Sequence, residues 1–383
     1  MFDIPLAWLQ LSRQKTRLLI ASAGIAFAVI LMFMQLGFQA ALYDSAALLH
    51  QNLQGDLVLI SARSKSLGYM RTFSWRRLYQ VLSFDGVKSI SPIYVGFQDW
   101  RNPSNGSFRA IYVYGFEPVN SVFKFPGVAQ NLDKLKLKEN ILFDRASRLE
   151  YGPIATEFER GEPIITELGG KRVNVVGLFT LGPSFGADGN VIMSELNFLR
   201  LFTERKLGEI DIGLIQLKPH TNAKNTLKNI EASLPKDIKV FTHQGFVDFE
   251  KSYWKKSTAI GFIFTLGVGM GFIVGTVIVY QILFADVSHS LSEYATLKAM
   301  GYKNLYLEFV VCQEAIILAV LGYTPGFFLS FVVYEITKNV TLLPVAMTPS
   351  RALMVLILTI LMCSISGSVA MRKLRQADPA DIF

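Results

Sequence analysis

The residues of this chain that could do chemistry are thinly spread. His50, His220, His243 and His289 are scattered, and neither Cys312 nor Cys363 joins a pair at metal-ligand spacing. No Gly-x-x-x-x-Gly-Lys-Ser/Thr run occurs. Gly267, Gly271 and Gly275 make a glycine-rich stretch, but it lies in an apolar run with no lysine after it and cannot cradle a phosphate. No Gly-x-Ser-x-Gly elbow is present, and no carboxylate pair stands out from the charged background. The acidic residues of 44–256 are expected at the surface. No catalytic, cofactor-binding or metal-ligating residues are assigned, and an activity of its own is not expected of this chain.

What remains is a polar segment, 286–307, between two long apolar runs. Residues 292–301, Ser-Glu-Tyr-Ala-Thr-Leu-Lys-Ala-Met-Gly, read as one helix. Gly301 can adopt the left-handed conformation that closes it, and Lys298 sits in the last turn, where the dipole favours a cation. Val287, Leu291 and Tyr294/Ala295 form one apolar stripe. Glu293 and Lys298 are five apart, poor partners within a helix and free to meet something else. A short amphipathic helix between two spans either lies on lipid headgroups or passes force to or from a docked partner.

The elements that must hold this segment are membrane spans. The chain has 383 residues, 51% hydrophobic and 18% charged, with mean hydropathy +0.35. That is too apolar for an ordinary soluble protein and too charged to be membrane throughout. Four uncharged runs account for it, and the spans they define are 18–43, 257–285, 308–335 and 350–371. Each is long enough to cross roughly 30 Å of hydrocarbon. The first run is too long for a cleaved signal peptide and is expected to stay as an anchor. Residues 1–17 form an entry element: Ile4, Trp8 and Leu11 share a helical stripe that would lie on the inner face.

Four spans put both termini on one side. Arg13, Lys15 and Arg17 flank the first, Arg372, Lys373 and Arg375 flank the last, and Lys298 and Lys303 lie in 286–307. The positive-inside rule places all three in the cytoplasm, and the 372–383 tail with them. Residues 44–256 and the short 336–349 loop are then outside. Lys251, Lys255 and Lys256 break the rule, but they close a long translocated domain, where charge bias counts for little. The net charge of +8 is a mild excess without a dense basic cluster, which suits a lipid membrane surface and argues against nucleic acid.

Residues 44–256 alternate strand and helix. Segments 56–61, 86–94, 108–115, 171–179, 191–193, 210–217 and 238–242 read as strands, and 75–83 and 222–234 as helices. A β-α-β unit closes the domain and a matching one opens it. They form two halves, about 44–114 and 203–256, around a β-rich insert, about 115–202. The fold class is therefore membrane α-helical with four transmembrane helices, plus an extracytoplasmic α+β domain. The domain has no cysteine and must hold itself by its own core.

Gly267, Gly271 and Gly275 fall at i+4 spacing in the second span, and Gly322 and Gly326 repeat the pattern in the third. Small residues on one face let helices approach closely, within the bundle or across a homodimer alike. Pro325 is expected to kink the third span. Thr348-Pro349 fits a cap and first-turn proline for the fourth. Glu314, near the start of the third span, is expected at the interface rather than in the bundle interior.

Three segments carry a family resemblance. The start, Leu6-Ala7-Trp8-Leu9-Gln10-Leu11-Ser12-Arg13 through Ile20, resembles that of permeases of the MacB/FtsX-like superfamily of ABC transporters. Residues 292–304 resemble that superfamily's cytoplasmic EIG-x-x-KA-x-G-A helix: Glu293, Lys298, Ala299 and Gly301 match, while Tyr294 and Ala295 replace Ile-Gly. The tail, with Asp378-Pro379-Ala380, resembles its terminal DPA signature. The layout of one span, a large outer domain and three spans matches over the whole chain. Within the superfamily the sequence is most similar to the DevC-like permeases of a cyanobacterial glycolipid exporter.

The resemblance implies a homodimer in the inner (plasma) membrane, with a periplasmic domain of porter halves and a sabre-like inserted lobe. It implies two copies of a separate ABC ATPase subunit, in which ATP-Mg would be bound. Segment 286–307 would contact that ATPase, with Glu293, Tyr294, Lys298, Met300 and Gly301 as its coupling residues. ATP-driven motion would pass through the spans to the outer domain, with no substrate pathway through the spans themselves. DevC-like systems add a periplasmic membrane-fusion adaptor and a TolC-like outer-membrane channel. The expected function is thus the permease of a MacB-type (type VII) exporter of glycolipid or another amphiphile. A lipoprotein-releasing or FtsX-like regulatory permease competes within the superfamily, and a membrane-anchored sensor or structural protein competes from another class.

Overall fold

A computed structural model describes residues 15–289, 296, 300–302 and 304–376. The chain forms two compact units. One comprises the chain up to Ala41, Ala259–Val340 and the chain from Val345 on; the other comprises Leu42–Thr258 with Thr341–Pro344.

The first unit is a bundle of four long helices: α1 (Lys15–Ala46), α2 (Ala259–His289), α3 (Asn304–Thr341) and α4 (Pro349–Gln376). All four are long and apolar enough to cross a membrane. α1 supplies much of the interior. Ile25, Ala28, Val29, Met32 and Phe33 are wholly buried. On the outside, Phe262, Leu266, Met270 and Ile273 of α2 and Phe328, Phe331 and Val332 of α3 stay exposed, as lipid-facing side chains must. Polar groups in the bundle are used as ties between helices. Gln39 donates to Gly261 O (3.3 Å) and Thr265 Oγ1 (3.1 Å), Ser366 to Thr276 O (2.8 Å), Tyr323 to Ala352 O (3.0 Å), and the Tyr334 hydroxyl to the Phe33 carbonyl. Pro325 does not break α3, which runs through it. The hydroxyl of Thr324 bonds the Val320 carbonyl at 2.8 Å in the same turn. α4 begins as its Thr-Pro start predicts: the Thr348 hydroxyl accepts from Arg351 N at 3.3 Å, and Pro349 opens the helix.

The second unit is built on a nine-stranded mixed sheet. Its strands are β1 (Leu57–Ser61), β3 (Val87–Arg101), β4 (Phe108–Phe116), β5 (Asn140–Asp144), β6 (Ile164–Leu168), β7 (Lys171–Phe179), β8 (Asn190–Ser194), β10 (Ile212–Leu217) and β11 (Ile238–Thr242). A small separate pair is made by β2 (Phe73–Ser74) and β9 (Glu209–Ile210). The order is β11-β1-β10-β3-β4-β8-β5-β7-β6, and Trp100 at the end of β3 also pairs with Leu168 of β6.

The first four strands of that order are two interleaved β-α-β units. β1 runs antiparallel to both β10 and β11, and β10 antiparallel to β3. Helices Trp75–Gln80 and Ala223–Ser233 make the crossovers. This is the split β-α-β arrangement. The insert, β4 to β8, leaves the motif between β3 and β10 and extends the same sheet, because β3 pairs with β4 over nine residues. Alternation along the central strands fills two cores. Leu57 and Leu59 enter one, Val58 and Ile60 the other; Ile111 and Val113 divide from Tyr112 and Tyr114 in the same way. Leu78, Phe198 and Ile230 cover the first face, and Leu49, Val128 and Phe246 the second. Helix starts follow their caps: Ser74, Ser194, Asn222 and Thr242 each accept a backbone N–H of the first turn.

Candidate functional site

The polar segment between α2 and α3 is the one singled out in the sequence. Glu293, Tyr294 and Lys298 lie outside the described residues. Met300 N donates to Thr296 O at 3.0 Å, a helical bond, and Gly301 follows with φ +93°. That backbone conformation suits glycine and ends a helix. The Met300 side chain is 63% exposed, and Tyr302 and Tyr306, both exposed, set their rings 5.0 Å apart at a tilt of 39°.

The five glycines singled out in the spans all sit against other helices of the same bundle. A Cβ on Gly322 would fall 2.4 Å from Ile25 Cβ, and one on Gly326 would fall 2.8 Å from Val29 Cγ1. These two bring α3 onto α1. On α2, a Cβ at Gly275 would meet Met362 Sδ at 2.2 Å and Ala28 at 2.8 Å, one at Gly271 would meet Met32 at 3.3 Å, and one at Gly267 the end of Gln35 at 2.5 Å. Gln35 is flexible and can yield; the α1 and α4 contacts at Gly275 and Gly322 cannot without moving a helix. The glycine faces thus pack within this chain, against the buried face of α1.

Near the bundle end that carries the polar segment lies a group of charges. Arg17 of α1 stands 3.9 Å from Asp286 at the end of α2. Glu314 of α3 is fully buried, and neither carboxylate oxygen has a hydrogen-bond partner among the described residues. Interface placement, expected from sequence, is therefore wrong for Glu314: Val310, Val311, Ala315 and Leu318 of the same helix are buried too, so this face of α3 points inward. In the sequence Arg17 is only a topology charge. No periodicity within α1 or α2 could have paired residues so far apart in the chain.

The outer unit corrects a second expectation. Its acidic residues are not all at the surface: Asp144, Asp211 and Glu250 are each at most 2% exposed. Asp144 accepts from Leu181 N (3.0 Å), Gly182 N (2.9 Å), Ala146 N (3.1 Å) and Asn190 Nδ2 (2.8 Å). Burial raises its pKa, and those four donors oppose the rise. Asp211 accepts from Val95 N at 2.8 Å and pairs with Arg205 at 3.1 Å; burial raises its pKa, and Arg205 opposes the rise. Glu250, on helix His243–Lys256, accepts from Leu67 N (2.8 Å) and Trp254 Nε1 (2.9 Å), and its Oε2 lies 3.4 Å from His50 Nε2 without hydrogen-bond alignment. One residue on, Lys251 pairs with Asp44 at 2.6 Å. These contacts tie the helix that leads into α2 to the last turn of α1, through Asp44, and to the turn that follows it, through His50. The carboxylates are architectural: each is consumed by fixed donors. Among the described residues no group of three or more metal-ligating side chains forms.

Residues 253–379, which contain α2, the polar segment, α3 and α4, match the model of the FtsX-like permease C-terminal family. The chain carries an FtsX-like permease C-terminal domain, in line with the MacB/FtsX-like ABC permease resemblance of its sequence. No curated protein matches the chain. Among solved structures it is similar to the periplasmic region of MacB from Actinobacillus actinomycetemcomitans, with 12% identity and TM-score 0.36 over 54% of this chain and 96% of that one. It is also similar to the extracellular domain of the noncanonic ABC-type transporter YknZ from Gram-positive bacteria, with 15% identity and TM-score 0.34 over 49% and 99%. A domain of a permease protein from Porphyromonas gingivalis has 11% identity and TM-score 0.30 over 50% and 88%.

Proposed function

We propose that this chain is the permease subunit of a MacB-type ATP-driven exporter. It sits in the inner membrane with both termini cytoplasmic and its mixed-sheet unit in the periplasm. A separate ABC ATPase binds at 286–307, hydrolyses ATP-Mg, and drives the spans; Glu293, Tyr294, Lys298, Met300 and Gly301 form the coupling contact. Two copies of the chain form the working unit. The outer domain moves an amphiphile, such as a glycolipid, delivered by a membrane-fusion adaptor toward a TolC-like channel.

The observation that carries this reading is the filled bundle. Ile25, Ala28, Val29 and Met32 of α1 are wholly buried, and Gly275, Gly322 and Gly326 bring α2 and α3 onto them. Helices packed this closely transmit displacement well. The test is co-expression with an ABC ATPase encoded beside it. Association and ATPase activity dependent on this chain are expected. Glu293→Lys combined with Lys298→Glu should abolish that dependence while the spans still insert. No association, or full coupling in the double variant, would overturn the reading.

A further inference from the structure

In the inserted lobe, β5, β7, β8 and helix Glu195–Leu201 line a half-open cavity of about 480 Å³. That is within the roughly 300–1,000 Å³ of small-molecule sites. Its floor is apolar: Ile141, Val173, Met193 and Leu201 line it, with Val173 and Leu201 keeping a few per cent of their surface open. Its rim is cationic. Lys138, Lys171, Arg172 and Arg200 surround it, and Glu139 is the carboxylate among its lining residues.

The rim is built rather than loose. Asn197, itself buried, donates to Leu137 O (2.9 Å) and Asn140 O (3.3 Å). Its Oδ1 accepts from Glu139 N (3.2 Å) and Arg200 Nη1 (3.2 Å). One side chain therefore clamps the turn before β5 to the helix and aims Arg200. Glu139 holds φ +69° in that clamp, and its carboxylate pairs with Lys138 at 3.4 Å. Lys171 Nζ donates to the Arg200 carbonyl, which draws the β7 cation to the helix end. Among the described residues Lys171, Arg172 and Arg200 have no carboxylate partner. Three uncompensated cations over an apolar floor, in a concave wall, match one ligand chemistry.

We propose that this cavity binds an anionic amphiphile: a carboxylate, sulfate or phosphate headgroup held by Lys171, Arg172 and Arg200, with the first part of an alkyl chain on Val173 and Leu201. Charge-assisted and bidentate contacts from arginine favour such a headgroup. A bare inorganic anion would leave the floor uncovered. An acidic protein surface is served by a broad, flat patch rather than a cavity of this volume. The site does not depend on the exporter reading, because binding is measured with no ATPase present; loss of binding and loss of coupling are separate results.

The test is fluorescence titration of the full chain, in nanodiscs of zwitterionic lipid, with dansyl-undecanoic acid. Saturable binding is expected, and the methyl ester of the probe should bind at least about tenfold more weakly, since the ester lacks the charge that the rim recognises. Arg172→Glu with Arg200→Glu should weaken the acid by about tenfold or more, whereas Arg172→Lys with Arg200→Lys keeps the charge, loses only the bidentate fit, and should weaken it clearly less than the glutamate pair. Equal binding by wild type and the glutamate pair would overturn the proposal. So would equal binding of acid and ester, equal loss in both double variants, displacement of the probe by inorganic phosphate as readily as by undecanoate, or binding of a polyglutamate peptide with none of the probe.

Discussion

Gly322 on α3 lies so close to Ile25 on α1 that a Cβ at Gly322 would be 2.4 Å from Ile25 Cβ and 3.3 Å from the Ser22 carbonyl oxygen. The contact is between helix backbones and the base of a branched side chain, so neither partner can rotate away. Gly322→Ala should therefore force α3 outward and destabilise the bundle by about 1–3 kcal/mol, the usual cost of overpacking. Thermal unfolding of the full chain in detergent checks this. Gly269→Ala, where a Cβ meets nothing within 4 Å, should leave the midpoint unchanged or slightly raised.

Glu314 gives the opposite sign. It is fully buried on α3 with both oxygens unbonded among the described residues. Leaving a polar group so placed costs about 1–3 kcal/mol, and replacing it by an apolar side chain of similar length removes that cost. Glu314→Leu should raise the thermal midpoint of the bundle and, if the residue is retained for function, lower ATPase coupling at the same time. A midpoint that falls would show that the carboxylate is satisfied in the folded chain.

These two residues mark what the sequence could and could not disclose. The glycine spacing was visible, and so was a close helix contact, because i+4 small residues have one structural use in an apolar helix. Which helix they meet was not visible, since that depends on residues some 300 positions apart. The same limit applies to the sheet. Segments such as 56–61 and 171–179 announced themselves as strands, and the two β-α-β units were legible as local patterns. Their interleaving, with β1 seated between β10 and β11, rests on pairings across more than 150 residues. Glu314 and Glu250 show a further gap: residue type tells that a carboxylate is present, while burial is decided by which face of its helix the fold turns inward.

Adjacent residues on one helix should separate that distinction by experiment. Glu250 is buried and holds two N–H donors, from Leu67 and Trp254. Glu250→Ala strands both and opens a gap beside His50, so it should destabilise the outer unit by about 3 kcal/mol or more. Lys251 pairs with Asp44 at a site where the two side chains keep 33% and 47% exposure. Water and salt screen that pair, and Lys251→Ala should cost less than about 1 kcal/mol. Urea unfolding of the full chain, followed through tryptophan emission, compares them directly.

His243 should give the outer unit an acid-sensitive step. It opens helix His243–Lys256, and its Nε2 is buried without a hydrogen-bond partner among the described residues. Its pKa is lowered from the usual value near 6.5, first by burial and then by the Lys124 ammonium. Above about pH 6.5 the imidazole is neutral in both folded and unfolded chains, so it contributes no slope there. Below that value the unfolded chain takes up a proton that the folded one resists, and stability falls until the pH passes the lowered folded pKa. Urea midpoints measured from pH 7.5 down to pH 5 should therefore decline, and His243→Gln should remove the part of the decline that starts near pH 6.5. An identical decline in His243→Gln would assign the acid sensitivity to other groups.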